Sequence, residues 1–253
     1  FSQSRQNYIN NFTLKNIASG KEYKISGLPA NLLGNSVAWS RNDKKIAFTH
    51  STGSTVDLYV IDVATQKAMK VNKTSLNVVL GGAFSWLDDN TLLYKIIVKP
   101  ASAMPKRPIT PPGPTVQESY GKAAPRPTYQ DMIKSPYDEL LFEFFTRAQL
   151  VKNVNGVETK INQPAIYSSI SASPDKKYWL VRTIRKPFSY VVPANGFNST
   201  IAVHDANGKF VKEIAKLPSS ETAPSGSDNV ADVPRGIEWR DDEAATIVWC
   251  KAR

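Results

Sequence analysis

The chain has 253 residues, 41% of them hydrophobic, with ten Phe, ten Tyr and five Trp, enough apolar material for one large all-β domain or two smaller ones. No run of about 18 apolar residues is present, which excludes a membrane-spanning helix, and the lone Cys250 excludes an internal disulfide or a cysteine zinc site. The net charge of +10 is spread along the chain without a basic run of five or an aromatic-basic stacking motif, so nucleic acid is not the expected partner.

In chain order, the start FSQSRQNY lacks an initiator Met, a basic segment and an apolar segment, which reads as a removed signal or a piece cut from something longer. Two phrases then alternate. One is an alternating strand ending in a polar turn: NFTLKNIASGKEYKI (11–25), DLYVIDVATQKAMKV (57–71), QLVKNVNGVETKI (149–161) and TIAVHDANGKFVKEI (200–214). The other is a short strand, a polar acidic turn and an apolar strand: VAWSRNDKKIAF (37–48), AFSWLDDNTLLY (83–94), ISASPDKKYWLV (170–181) and IEWRDDEAATIV (237–248). Taking Phe12, Leu58, Leu150 and Ile201 as equivalent, the intervals are 46, 92 and 51 residues, the middle one being two periods. A period near 46 built of strands and turns is one four-stranded propeller blade.

The clearest unit predicts strands over Ser36–Ser40, Lys45–His50, Val56–Ile61 and Lys67–Val71, with polar turns between them. Asp43 and Asp175 are read as holding the same turn position, with Asp89 and Asp242 one residue earlier, all as turn-capping acids. Residues 1–29 match only the outer two strands of a blade and 236–250 only the inner two, with three units between. The fold class is therefore all-β: a partial β-propeller over 1–253, about four blades' worth, starting and ending mid-blade. Two half-blades could join to close a four-bladed ring. The chain reads instead as part of a longer propeller, whose open ends predict poor solubility or pairing between copies.

The third unit is interrupted. After a second strand at Thr91–Val98 the next strand is expected only near Phe144, leaving an insertion of about 99–141. Residues 100–127 hold Pro100, Pro105, Pro108, Pro111, Pro112, Pro114, Pro125 and Pro127, a density that forbids ladder hydrogen bonds. Beyond it, Tyr137, Leu140, Leu141 and Phe144 fall at helical spacing, with Asp138 and Glu139 in the first turn after Pro136. Long insertions of this kind are functional or disordered, and the aromatic content favours an ordered one.

Catalytic chemistry is not legible. There is no G-x-S-x-G, H-E-x-x-H, P-loop or dinucleotide fingerprint. His50 and His204 read as strand-surface histidines and Cys250 as a core or edge thiol. No metal or cofactor is expected. One constellation suits binding: Arg182, then Arg185, Lys186 and Tyr190 in TIRKPFSYVVP (183–193), and Arg235 before the last inner strand. Guanidinium forks take carboxylates bidentately, so Arg182, Arg185, Tyr190 and Arg235 form a candidate site for an acidic side chain. The alternative is that these arginines only tie loops together.

Several longer motifs carry a resemblance. Gln117-Glu118 with Gly121-Lys122, Thr128-Tyr129-Gln130-Asp131, Asp138-Glu139 with Phe142-Glu143, and Arg185 through Tyr190 resemble the propeller of glutamyl endopeptidase-type members of the prolyl oligopeptidase family. The resemblance covers most of the chain from about residue 36. It implies a propeller that caps an α/β-hydrolase domain bearing a Ser-Asp-His triad. No match to that C-terminal domain is present here, so no catalytic residue is carried over. It implies a gating and substrate-positioning part of a serine peptidase cleaving peptides after glutamate, in the periplasm or secreted. A non-catalytic scaffold propeller that binds proteins is the alternative; a lactonase- or glycosidase-like enzyme is disfavoured by the poverty of His and inward acids.

Overall fold

The computed structural model describes residues 7–109, 129, 132–222 and 232–251. Two compact units divide the chain, Phe1–Val98 with Ala148–Pro164 and Lys99–Arg147 with Ala165–Arg253. In the first unit, β1 (Thr13–Lys15) and β2 (Glu22–Lys24) form a hairpin. A four-stranded antiparallel sheet follows in the order β3 (Gly34–Trp39), β4 (Lys45–Ser51), β5 (Val56–Asp62), β6 (Lys67–Lys70). Next come β7 (Phe84–Asp88), β8 (Thr91–Ile97) and β9 (Ala148–Val154), joined by the first half of the long strand β10 (Val157–Ala172). In the second unit the second half of β10 pairs with β11 (Tyr178–Ile184), then β12 (Ser199–Asp205) and β13 (Phe210–Leu217). The hairpin β14 (Arg235–Trp239) and β15 (Ile247–Cys250) ends the described chain. These are three four-stranded blades, preceded by an outer half-blade and followed by an inner one: a partial β-propeller, as the repeated phrases predict.

Strand chemistry explains the layering. The second strand of each complete blade is buried along nearly its whole length in the first two blades, and through its Trp179-Leu180-Val181 centre in the third. Unbroken apolar runs such as Ile46-Ala47-Phe48 and Leu92-Leu93-Tyr94 are what a strand covered on both faces requires. The first two blades of the first unit meet over Ala47, Leu58, Leu76, Leu92, Tyr94 and Val151. The β1–β2 hairpin lays Phe12 and Leu14 over Leu32, Ile46, Phe48 and Ile61. In the second unit Leu180, Ile201 and Val203 pack against Trp239, with Ile237 and Ile247 beside them. Each fully buried side chain of this size contributes about 2 kcal/mol.

The turns between first and second strands show one device twice. The Ser40 hydroxyl donates to Asn42 Oδ1 and accepts from Lys45 N, while Asn42 Oδ1 also accepts from Lys44 N. The Ser173 hydroxyl donates to Asp175 Oδ1 at 2.6 Å and accepts from Tyr178 N, while Asp175 Oδ1 accepts from Lys177 N. The expected equivalence is therefore off by one: Asn42, not Asp43, matches Asp175. Asp43 instead matches Lys176, both at positive φ, 58° and 63°. Asp89 reaches the neighbouring turn, accepting from Asn42 N at 2.8 Å, and Asp242 pairs with Arg240.

The insertion corrects a second expectation. The helix α1 runs Pro136–Thr146, capped by Ser135, whose hydroxyl accepts from Asp138 N. It holds Phe144 inside a helix, so the third strand starts only at Ala148. Pro111, Pro112, Pro114, Pro125 and Pro127, and the motif residues Gln117, Glu118, Gly121, Lys122, Thr128, Gln130 and Asp131, lie outside the described residues.

Candidate functional site

In the second unit one end of the blade is built by three segments: the end of β11, the loop 185–198, and α1. The loop is fixed through its own polar groups. The Ser189 hydroxyl accepts from Val191 N and Val192 N, Asn198 donates to the Pro187 carbonyl at 2.8 Å, and Asn198 Oδ1 accepts from Ser219 N. Its apolar anchors are Phe188 and Phe197, buried and stacked at 5.6 Å between centroids. Phe142 of α1 meets both rings edge-on, at 4.9 and 5.4 Å. Edge-to-face geometry sets the positive ring edge against the negative face and adds about 1 kcal/mol per pair beyond area burial.

Charge complementarity reinforces that docking. Lys186 Nζ lies 2.7 Å from Glu143 Oε2, and Arg147 lies 3.2 Å from Glu143 Oε1. The hydrogen bond from Lys186, with Arg147 assisting, holds the Glu143 carboxyl below the ordinary glutamate value. Tyr190 is hydrogen-bonded to Glu139; partial burial and that neighbouring carboxylate push its hydroxyl up to about 12.

The predicted binding residues divide by role. Arg182 is half-buried on β11, donating from Nε to the Ser199 hydroxyl at 3.0 Å and from Nη2 to the Asn195 carbonyl at 3.2 Å. Burial lowers its pKa. It ties the loop to β12, which is the structural alternative raised by the sequence. Arg185 is exposed just past β11, with Nη1 donating to the Thr200 hydroxyl at 3.0 Å, so most of its fork faces solvent. Tyr190 is committed to α1. Arg235 is exposed at the start of β14, opposite Cys250. The β14 strand is joined to β10 near their far ends, where Trp239 Nε1 donates to the Ser171 carbonyl at 3.1 Å. Arg235 therefore lies at the same end of this unit as the 185–198 loop, with no bond to the other three among the described residues.

The residues the sequence did not link are Glu139 and Glu143. Both stood in a motif beside the candidate site, and their charge opposite Lys186 was the available signal. The histidines are structural in their surroundings. His50 is buried rather than on a strand surface, and its Nδ1 accepts from Leu33 N at 3.1 Å. His204 Nδ1 lies 3.2 Å from the Gly208 carbonyl. Cys250 is exposed. Among the described residues no group of three His, Cys, Asp or Glu side chains is arranged to hold a metal ion, and no helix is long and apolar enough to cross a membrane.

No family model matches the chain. Two curated relatives do. The chain is 31% identical over 245 residues to a probable chloroplastic glutamyl endopeptidase of Oryza sativa subsp. japonica, covering 92% of this chain and 26% of that protein. It is 32% identical over 242 residues to the probable chloroplastic glutamyl endopeptidase of Arabidopsis thaliana, covering 92% and 25%. The chain thus spans about a quarter of the length of the curated relatives it matches. Among solved structures, a prolyl endopeptidase aligns with a TM-score of 0.47 at 16% identity, over 79% of this chain and 25% of that one. The Pyrococcus horikoshii acylaminoacyl peptidase aligns with a TM-score of 0.42 at 15% identity, over 82% and 27%. The expectation of a periplasmic or secreted protein is corrected by the relatives, both chloroplastic; a chain with one cysteine and no disulfide does not distinguish these compartments. With 92% of its length aligned to them, this chain resembles the β-propeller of glutamyl endopeptidase-type members of the prolyl oligopeptidase family.

Proposed function

We propose that this chain is the gating and substrate-positioning propeller of a serine peptidase that cleaves peptides after glutamate, with the nucleophile, imidazole and acid on a hydrolase domain outside these residues. The observation that carries this reading is the similarity, over 92% of the chain, to two proteins named as glutamyl endopeptidases. The site's chemistry supports it. Arg185 and Arg235 keep guanidinium donors open to solvent, whereas Arg182 is spent holding the loop on which Arg185 depends.

In this mechanism the propeller breaks no bond. Its blade-end loops admit an extended peptide and set the substrate carboxylate against fixed cations, so that the scissile bond is presented in a productive geometry. A charge-assisted hydrogen bond from an arginine contributes about 1.5–3 kcal/mol. A glutamate side chain gains that contribution and an isosteric glutamine gains much less. Discrimination thus comes from charge, while the loop anchored by Phe188, Phe197 and α1 supplies the rigidity that keeps the fork in place.

The test is made in the complete peptidase that carries this chain as its propeller. Arg185→Ala and Arg235→Ala are each expected to lower kcat/KM for a Glu substrate about tenfold or more, in line with one lost charged hydrogen bond, and to leave the matched Gln substrate within about twofold. Equal losses on both substrates would overturn the specificity role. Arg182→Ala is expected to affect both substrates, because it loosens the loop.

A further inference from the structure

One carboxylate of the second unit is held as a bound acidic ligand would be. The carboxyl of Glu143 on α1 is shared oxygen by oxygen: Lys186 Nζ lies 2.7 Å from Oε2, and Arg147 Nη1 donates to Oε1 at 3.2 Å. A cation on each oxygen suits a carboxylate and not an amide, whose NH2 group would meet one of the cations donor to donor. Lys186 follows Arg185 in the chain, and its ammonium also lies 5.6 Å from the centre of the Phe188 ring. The two cations therefore stand on the loop and the helix that carry the candidate site.

The cluster is open to exchange. The side chains of Lys186, Arg147 and Glu143 keep 54%, 43% and 29% of their surface exposed. Leu140, one turn earlier on the same flank of α1, is half exposed, so that flank faces solvent. Ion pairs at this exposure are weak, because water solvates both partners and two long side chains must be ordered to form them. What fastens α1 is apolar instead: Phe142 meets the buried rings of Phe188 and Phe197 edge-on. Glu143 can therefore leave its cations while the helix stays docked. An incoming carboxylate replaces it at little cost, since one charge-assisted contact is exchanged for another of the same kind.

We propose, resting on the glutamate-positioning role of this chain, that Lys186 and Arg147 belong to the site for the substrate's acidic side chain, and that Glu143 occupies them as an internal competitor until a substrate displaces it. The group now bound is itself a glutamate, so the pair is already arranged for the side chain that the substrate would bring. Occupancy also favours selectivity. Two cations facing one carboxylate leave a surplus of positive charge, and a neutral side chain that displaced Glu143 would leave both cations unpaired. Only a ligand carrying its own carboxylate restores the balance, so glutamine gains nothing from the exchange.

Steady-state kinetics of the complete peptidase on matched Glu and Gln substrates test this. Glu143→Gln keeps the shape of the side chain and removes the competing charge. KM for the Glu substrate should fall about threefold with kcat within about twofold, the size of one exposed ion pair removed, and the Gln substrate should not share the fall. Lys186→Met, which keeps the stem over Phe188, should raise KM for the Glu substrate about fivefold; added to it, Glu143→Gln should lower KM less than about twofold. Amide hydrogen exchange of α1 should be unchanged in Glu143→Gln. Faster exchange there, or a KM raised alike on both substrates, would make the carboxylate a fastener of the helix and overturn the proposal. An enzyme that prefers Glu, loses that preference in Arg185→Ala and ignores Glu143→Gln also overturns it, while the positioning role survives. An enzyme with no preference for Glu over Gln overturns both.

Discussion

Lys95 sits on β8 with 5% of its surface exposed, its ammonium donating to the Leu80 carbonyl. Burial pulls its pKa from the ordinary 10.5 down to about 8. Between about pH 8 and 10.5 the unfolded chain binds a proton there that the folded chain does not, so stability rises with pH through that window. Below pH 8 both states are protonated and the full cost of the buried charge is felt, about 3 kcal/mol. Lys95→Met should therefore stabilise the protein at pH 7, by about 1–2 kcal/mol once the donor lost to Leu80 is subtracted. Urea unfolding at pH 7 and pH 10.5 checks it: the gain should shrink at the higher pH, and an equal effect at both would count against a charge-burial origin. Nothing in the sequence marks Lys95, since a lysine at the equivalent place of Thr49 and Arg182 is unremarkable until the strand is covered on both faces. The Asn42–Asp175 equivalence was likewise hidden. The two phrases differ by an adjacent Asn-Asp pair, and only the serine hydroxyl network shows which of the two bears the turn.

At the scale of elements, α1 and the 185–198 loop are one structural piece although the 38 residues 147–184 separate them. The helix was legible from Pro136, the early acids and the apolar spacing. Its buried side was not. Leu140, part of the predicted stripe, is 51% exposed, while Phe142, outside it, is the ring that meets Phe188 and Phe197. Which face a helix buries depends on its partner, and a partner distant in sequence leaves no periodic trace. The candidate site was legible as a list of cations but not as a division of labour, because whether a guanidinium is open or spent depends on carbonyls and hydroxyls brought up by folding. Phe142→Ala should remove both aromatic pairs and weaken the piece by about 2–3 kcal/mol. Amide hydrogen exchange should then speed up in α1 and in 185–198 together, with β3–β6 unchanged. Faster exchange in the helix alone would show that the loop stands without it.

For the molecule as a whole, the blade repeat could be read from the chain because each blade reuses the same turn chemistry and the same apolar second strand; in the first complete blade every strand bound fell within two residues, while the insertion displaced the third strand of the next. What spacing alone did not show is how neighbouring blades are fastened. In the first unit a partly buried polar network adds to the apolar contact between blades. The Tyr94 hydroxyl donates to Glu158 Oε1 at 2.8 Å and accepts from Asn153 Nδ2, which also donates to the Val71 carbonyl, while Glu158 Oε1 accepts from Lys73 N. Burial, with the Glu158 carboxylate beside it, raises the Tyr94 hydroxyl well above the ordinary tyrosine range, so it remains a donor at every physiological pH. The network links the edge of the first complete blade, at Val71 and Lys73, to β8, β9 and β10 of the next. Removing one hydroxyl leaves the buried Asn153 and the half-buried Glu158 each short of a partner, and such losses exceed the net worth of a single bond where the group is buried. Tyr94→Phe should therefore lower stability by about 2 kcal/mol in urea unfolding, although it deletes one atom and leaves the packing of the ring in place. Pairing it with Glu158→Gln should give a double-mutant effect well below the sum of the two singles, since both act on one network. Strict additivity would mean that the blades are held by their apolar contacts alone.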